Sequence, residues 1–317
     1  MLDRDLLALL ADGELHSGVA LGQALGLTRA AVWKRLQQLK SLGVELEQVR
    51  GRGYRLRHGL RLLEQQAITA LLAAPVALEV HDELASTNDR GLELARSAAV
   101  QPVAILAERQ SAGRGRLGRR WESPLGHNLY LTLVWPFTAG VQLQGLSLVV
   151  GLVLAETLTQ LGLRDAGIKW PNDLHVRRRK LGGILVELAG DLEARPIAVI
   201  GVGVNGWLGD ELAGRIDQPA TDWLTEVGQP LDRNRLAGLL LHGLQQALPL
   251  FAASGFAAFR ARWQAFDLCA GQSLWLVQGQ ARRQVRALGV ADDGALRVEH
   301  DQQEQSVYGG EVSIRWQ

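Results

Sequence analysis

The spacing of apolar residues changes character twice along this 317-residue chain, and each change marks a different kind of packing unit. Up to about residue 42 the pattern is helical, from about 61 to 270 β-rich runs alternate with helical ones, and from 271 onward only short two-residue alternation remains. A chain of this length exceeds one ordinary core, so the patterns predict a multidomain α+β protein divided into 1–60, 61–270 and 271–317. Apolar residues at 47% and charged residues at 21% suit a globular chain with a sizeable core.

In the first unit Leu2, Leu6, Leu9 and Leu10 share one helical face that stops at Asp12-Gly13. Ser17 offers an N-cap to a short helix ending at Leu25-Gly26-Leu27, and Thr28 caps a third helix from Arg29 to Leu42. Val32, Leu36 and Leu39 of that helix face a core, which turns Arg29, Ala30, Trp33, Lys34 and Gln37 outward. Val44 to Val49 then alternates as a strand, Arg50-Gly51-Arg52-Gly53 turns, and Tyr54-Arg55-Leu56 returns. The prediction is a winged helix-turn-helix with a basic β wing. The net charge of +1 hides an asymmetry: residues 1–61 hold ten Lys or Arg against six Asp or Glu, the remainder 24 against 27. This excess fits a polyanion, with a solvated basic face or a three-helix dimerisation module as alternatives. DNA is favoured by the tip, where Arg50 and Arg52 sit between glycines and can follow phosphates while Arg29, Ala30, Trp33 and Lys34 reach base edges.

The charged start Met1-Leu2-Asp3-Arg4-Asp5 does not read as a signal peptide, which implies a cytoplasmic protein. The longest apolar run, Leu146 to Ala155, stops at Glu156, well short of the ~20 residues that cross a bilayer, so no membrane partner is expected. Cys269 is the only cysteine, which excludes an internal disulfide and a cysteine-based zinc site and reads as a small buried hydrophobe.

In the middle unit the expected strands are Val76–Val80, Val103–Glu108, Leu129–Val134, Leu174–Val176, Gly183–Leu188 and Ile197–Val204. Helices are expected over Leu60–Pro75, Asn88–Ser97, Gln144–Leu161 and Arg233–Arg262. The final unit reads as a small β barrel of four runs, Ser273–Val277, Arg283–Leu288, Ala295–Glu299 and Val307–Arg315. Directly after the second strand comes Gln110-Ser111-Ala112-Gly113-Arg114-Gly115-Arg116-Leu117-Gly118-Arg119-Arg120-Trp121, where four arginines alternate with three glycines. Glycines permit backbone N–H groups to converge, and guanidinium groups add paired contacts to phosphate or carboxylate oxygens. The run is neither a Walker A loop nor a dinucleotide fingerprint. By itself it reads equally as a second nucleic-acid contact or a solvated turn.

Its company decides. Ser86-Thr87-Asn88 precedes it, and Lys169-Trp170-Pro171-Asn172-Asp173-Leu174, Lys180-Leu181-Gly182-Gly183-Ile184-Leu185-Val186-Glu187 and Gly201-Val202-Gly203-Val204-Asn205 follow. This ordered set resembles the biotin-protein ligase family, and the N-terminal unit resembles that of its bifunctional members, the biotin operon repressors. The resemblance runs from about residue 3 to the C-terminal strands. It implies a class II synthetase-like central domain with a mixed sheet and an SH3-like barrel. It also implies an activity: biotin and MgATP give biotinyl-5′-AMP and pyrophosphate, and biotin then passes to a lysine of the biotin carboxyl carrier protein of acetyl-CoA carboxylase. The adenylate-bound homodimer would repress biotin synthesis genes at an operator.

That chemistry needs cations, because a carboxylate must attack a negative phosphate, and it needs a cover, because the mixed anhydride hydrolyses easily. Arg116, Arg119, Lys169 and Lys180 suit the first need and the glycine-rich loop the second. By resemblance Ser86, Thr87, Asn88 and Gln110 bind the ureido head, Gly113, Arg114, Gly115 and Arg116 close over the tail and carboxylate, and Lys180 meets carboxylate and phosphate. Lys180, Arg116 and Lys169 form the catalytic set, while Arg119, Trp121, Lys169, Asn172, Asp173 and Asn205 face ATP. Asp173 either contacts Mg²⁺ through water or orders the two lysines, and Trp170-Pro171 shapes a turn. The segment between Asn205 and Trp223 resembles the adenylate-binding loop, with Trp223 packing on adenine. The competing readings are a non-catalytic ligand-sensing transcription factor and a lipoate or octanoate transferase. The retained loop and lysines oppose the first, the position of Cys269 and the missing lipoate ligase signature the second.

Overall fold

The computed structural model describes residues 2–97, 100–310 and 312–317, so Glu311, inside the last expected strand, lies outside the described residues. Three short helices open the chain, α1 (Arg4–Leu10), α2 (Gly18–Leu25) and α3 (Arg29–Ser41), N-capped by Asp3, Ser17 and Thr28. The turn between α2 and α3 is closed by Gly26 at φ 65° and by the Leu27 N–H donating 2.8 Å to the Gly22 carbonyl. An antiparallel hairpin follows, β1 (Leu46–Val49) with β2 (Gly53–Leu56). Leu6, Leu10, Leu21, Val32, Leu36 and Leu56 form the core of this unit, and Leu125 from the next unit packs into the same cluster.

The expected helix over Leu60–Pro75 is only α4 (Gln65–Thr69). The preceding residues stay extended because their backbone serves a buried ion pair. Arg233 Nη1 donates 2.7 Å to Glu108 Oε2, Arg233 Nη2 donates to the Arg61 carbonyl, and Glu108 Oε1 accepts the Leu63 N–H. Both charged side chains are buried, so each needs the other and these backbone partners.

Next come β3 (Ala77–Leu84), α5 (Thr87–Leu94), β4 (Val103–Gln110), β5 (Leu129–Pro136) and α6 (Leu146–Gln160). Four strands then run as successive hairpins: β6 (Ala166–Lys169), β7 (Asp173–Val176), β8 (Arg179–Asp191) and β9 (Arg195–Val204). The sheet order is β3-β4-β5-β9-β8-β7-β6, parallel at β3–β4 and antiparallel elsewhere, hence mixed as expected. Short helices α7 (Gly209–Ala213) and α8 (Trp223–Val227) lead to α9 (Arg233–Ser254) and α10 (Arg260–Gln264). The single helix expected over Arg233–Arg262 is therefore two, because Gly255 at φ 63° turns the chain out of helical geometry. α9 is long and apolar enough to span a membrane by composition, but Leu236, Leu240, Leu241, Leu244 and Leu248 are buried in the main core.

The C-terminal unit is an antiparallel sheet of β10 (Ser273–Gln278), β11 (Ala281–Val290), β12 (Leu296–His300), β13 (Gln303–Val307) and β14 (Val312–Trp316), ordered β13-β12-β11-β10-β14. Five strands replace the four expected: Val307–Arg315 breaks after β13, where Tyr308-Gly309-Gly310 leave the ladder, and resumes as β14. β14 is an edge strand and lies against the central unit, Trp316 meeting His175 edge-on at 6.2 Å.

Candidate active site

A cleft of about 450 Å³ opens over β8 and β9. Its floor is flat because glycines occupy the positions of those strands that face it. Gly201 and Gly203 alternate with the core residues Val202 and Val204, and Gly183 lies opposite Gly203. Each glycine makes room for one side chain: a Cβ at Gly201 would stand 2.3 Å from Asn88 Oδ1, and one at Gly203 would stand 2.7 Å from the Trp121 ring. The glycines of the two motifs thus place Asn88 and Trp121.

Ser86 caps α5, which sets Thr87 and Asn88 at the helix start and buries all three. Gln110 Oε1 accepts from the Thr87 N–H at 2.8 Å, and Gln110 Nε2 donates 3.0 Å to Ser123 Oγ. Thr132 Oγ1 lies 2.8 Å from Thr87 Oγ1 and 2.7 Å from Asn88 Oδ1. The result is a small polar pocket lined by uncharged groups, suited to a neutral hydrogen-bonding ligand.

The cations gather at the other end. β6 and β7 pair Lys169 with Asp173 across the Trp170-Pro171-Asn172 turn. Lys180 Nζ donates 2.7 Å to Asp173 Oδ1 and lies 5.4 Å from the centre of the Trp121 ring. Burial raises the Asp173 carboxyl, but the charge and hydrogen bond of Lys180, with Lys169 behind, outweigh it and hold the group below the usual carboxylate range. Lys169 is 6% exposed, and that burial lowers its ammonium despite the opposing pull of Asp173. Removing charge from Asp173 would leave both lysines without their counter-ion.

Residues 111–121 fold back as a narrow loop. Gly115 N–H donates 2.7 Å to the Arg119 carbonyl and Trp121 N–H donates 2.9 Å to the Gly113 carbonyl, with Leu117 at φ 57° at the tip. Arg116 reaches inward, donating 2.9 Å to Asn172 Oδ1 and also to the Gly309 and Gly310 carbonyls, so the loop is fastened to the C-terminal unit. Arg114 pairs with Asp89 and Glu187. Asn205 closes the far side: its Nδ2 donates 3.1 Å to the Thr221 carbonyl, while the Lys180 N–H donates 2.9 Å to the Pro219 carbonyl, which seats residues 215–221 on the rim.

Ser86, Thr87, Asn88, Gln110, Arg114, Gly115, Arg116, Arg119, Trp121, Lys169, Asn172, Asp173, Lys180 and Asn205 all line this cleft. Gly113 supports it from the base of the loop, where a Cβ would strike Ser123 Oγ at 2.6 Å. Trp223 is not brought there. Asp222 caps α8 and Trp223 opens it, leaving the indole 3% exposed within the core, away from the cleft lining. Sequence reasoning missed Ser313, Ile314 and Arg315 of β14, which complete the wall, and the individual residues Arg215, Ile216, Asp217, Gln218 and Ala220. No local pattern marks those positions, because their nearness is tertiary. In the N-terminal unit Arg29, Ala30, Trp33, Lys34, Arg50 and Arg52 are all exposed, Trp33 by 55%.

Comparison with known proteins gives the family. Residues 82–205 match the Biotin/lipoate A/B protein ligase family, 3–55 an HTH domain and 277–315 the Biotin protein ligase C terminal domain. The chain is 40% identical to the bifunctional ligase/repressor BirA of Escherichia coli, over 98% of this chain and 96% of that protein. It is 29% identical to the Bacillus subtilis BirA over 99% of this chain and 98% of the relative. The solved biotin protein ligase from Aquifex aeolicus in complex with biotin and ATP superposes with a TM-score of 0.65 at 26% identity, covering 76% of this chain and 99% of that one. A glycine-floored cleft with a polar pocket at one end and lysines at the other, behind a helix-turn-helix and matched over nearly its whole length, thus makes this chain a member of the bifunctional biotin-protein ligase and repressor family.

Proposed function

We propose that the chain joins biotin to ATP as biotinyl-5′-AMP, releasing pyrophosphate, and then transfers biotin to a lysine of the biotin carboxyl carrier protein of acetyl-CoA carboxylase. The observation that carries this reading is the polarity of one cleft: an uncharged pocket at Thr87, Asn88 and Gln110, and cations at Lys169, Lys180 and Arg116. Biotin has the same two ends, a neutral ureido ring and a carboxylate. With the ring seated at Ser86, Thr87, Asn88 and Gln110, a carboxylate oxygen attacks the α-phosphorus and the bond to pyrophosphate breaks. Lys180 and Arg116 neutralise the two anions as they meet, Lys169 and Arg119 draw the phosphates, and Trp121 packs on the nucleotide. The hydrogen bond to Asp173 keeps Lys180 aimed into the cleft.

Among the described residues no three His, Cys, Asp or Glu gather as a metal site. Asp173, the cleft carboxylate hydrogen-bonded to Lys180, would be the residue to hold magnesium brought in with the phosphates, and the ion would supply charge neutralisation there. Gly113 through Arg116 cover the product, and the acceptor ε-amine attacks its carbonyl carbon, expelling AMP.

The basic N-terminal unit supports a second output. In this reading the three units are 1–60, 61–270 and 271–317. The β1–β2 hairpin is a wing carrying Arg50 and Arg52 along phosphates, α3 presents Arg29, Ala30, Trp33 and Lys34 to operator bases, and the C-terminal sheet is an SH3-like barrel on a class II synthetase-like core. Adenylate favours a homodimer in the cytoplasm, and the dimer represses biotin synthesis genes because paired half-sites raise DNA affinity. Lys180→Ala should reduce adenylate formation by at least about a hundredfold while ligand-free DNA binding survives; equal activity removes Lys180 from the mechanism. Biotin with ATP should raise both the sedimentation coefficient and operator affinity, and failure of both to move defeats the regulatory part.

A further inference from the structure

Glu187 has no role in the chemistry above, yet it joins two parts of the site. It lies on β8, and its Oε2 accepts 2.9 Å from Asn88 Nδ2, beneath the polar pocket. The same carboxylate receives both ends of the Arg114 guanidinium, at 3.1 Å each. Arg114 belongs to the glycine-arginine loop, and its other partner is Asp89, one residue beyond Asn88 on α5.

The hydrogen bonds form a circuit. From Gln110 at the root of the loop they pass through Thr87, Thr132 and Asn88 to Glu187, and Arg114 returns them to the loop. The Thr132 hydroxyl has Asn88 Oδ1 and Thr87 Oγ1 within reach, and Gln110 Oε1 lies within reach of both the Thr87 N–H and the Thr87 hydroxyl, the latter at 3.1 Å. Asn88 is held in the circuit, since its amide is bonded at one end to Thr132 and at the other to Glu187, in the space that the absence of a Cβ at Gly201 leaves for it.

We propose that Glu187 is a positioning residue that ties the glycine-arginine loop to the biotin pocket, so that a ligand seated on Thr87, Asn88 and Gln110 stabilises the closed loop and keeps the adenylate from escaping. The inference rests on the ligase reading. A ligand that orders Asn88 orders the carboxylate bonded to it, and a fixed carboxylate presents the paired acceptor that Arg114 needs. Loop closure and ring recognition are then one linked equilibrium.

Glu187→Gln tests this. The amide oxygen still accepts from Asn88, but the amide nitrogen faces a guanidinium donor and the charge is gone. Preformed, radiolabelled biotinyl-adenylate should leave the variant about fivefold faster than the wild type, the scale of a partly exposed ion pair. Arg114→Gln should also speed release, and the double variant should be no faster than the quicker single one, because both remove the same tether. A merely structural Glu187 would lower thermal stability and give effects that multiply. Release at the wild-type rate, or multiplying factors, overturns the inference while wild-type pyrophosphate exchange stands. Absence of biotin-dependent exchange in the wild type defeats the ligase reading, and this inference with it.

Discussion

Replacing Gly201 with alanine puts a methyl group where Asn88 already lies. The new carbon would stand 2.3 Å from Asn88 Oδ1 and 2.9 Å from its Cγ, whereas ordinary contact begins at 3.4 Å, so the amide must retreat by about 1 Å. Its hydrogen bonds to Thr132 at 2.7 Å and Glu187 at 2.9 Å do not survive that displacement. Two broken bonds at ~1 kcal/mol each, with the Thr132 hydroxyl keeping Thr87 Oγ1 as an acceptor, come to about 2 kcal/mol. If that cost falls on the pocket, biotin affinity drops by about thirtyfold. Isothermal titration with biotin measures it, and circular dichroism verifies that the variant is folded. Gly151→Ala on α6 is the control: its methyl meets Ile168 and Ile184 at 3.7 Å, an ordinary separation, and biotin affinity should not change. A folded Gly201→Ala protein that binds biotin within about threefold of wild type would refute the argument that the glycine floor positions Asn88.

Breaking the buried pair with Glu108→Gln or Arg233→Met should cost about 3–5 kcal/mol in urea denaturation, and an unchanged midpoint would show the pair is dispensable. Burial pushes the His175 imidazole down to about 4 beside Trp316. The unfolded chain therefore takes up the proton first, and stability from this site is intact above pH ~6.5 and lost as pH falls towards 4. His175→Gln should flatten that acid limb, and an unaltered limb would assign it to other groups. Arg50→Ala with Arg52→Ala should weaken operator binding at all sequences alike and reduce the salt slope by about 0.9 for each phosphate that is no longer neutralised. A sequence-selective weakening would place those arginines at base edges instead.

The parts of the fold legible in the sequence are those written in local chemistry. Ser17 and Thr28 are found capping helices, and the run Ile197–Val204 is found as a strand buried in the core. The site is legible as an ordered set of motifs, and those motifs converge on one cleft. What stays hidden depends on partners distant in the chain. The motif pattern puts Arg114 at the ligand, but its guanidinium rests on Asp89 and Glu187, 25 and 73 residues away. Trp223, expected beside adenine, is buried instead, because a cap at Asp222 sets the direction of α8. The wall supplied by Ser313 to Arg315 follows only from the docking of an edge strand.

The central claim is adenylation of biotin in this cleft. Exchange of labelled pyrophosphate into ATP tests it directly, with biotin, lipoate and octanoate offered separately. Exchange should depend on biotin and should not be supported by the other two acids. No exchange with biotin, or exchange supported as well by lipoate or octanoate, would contradict it.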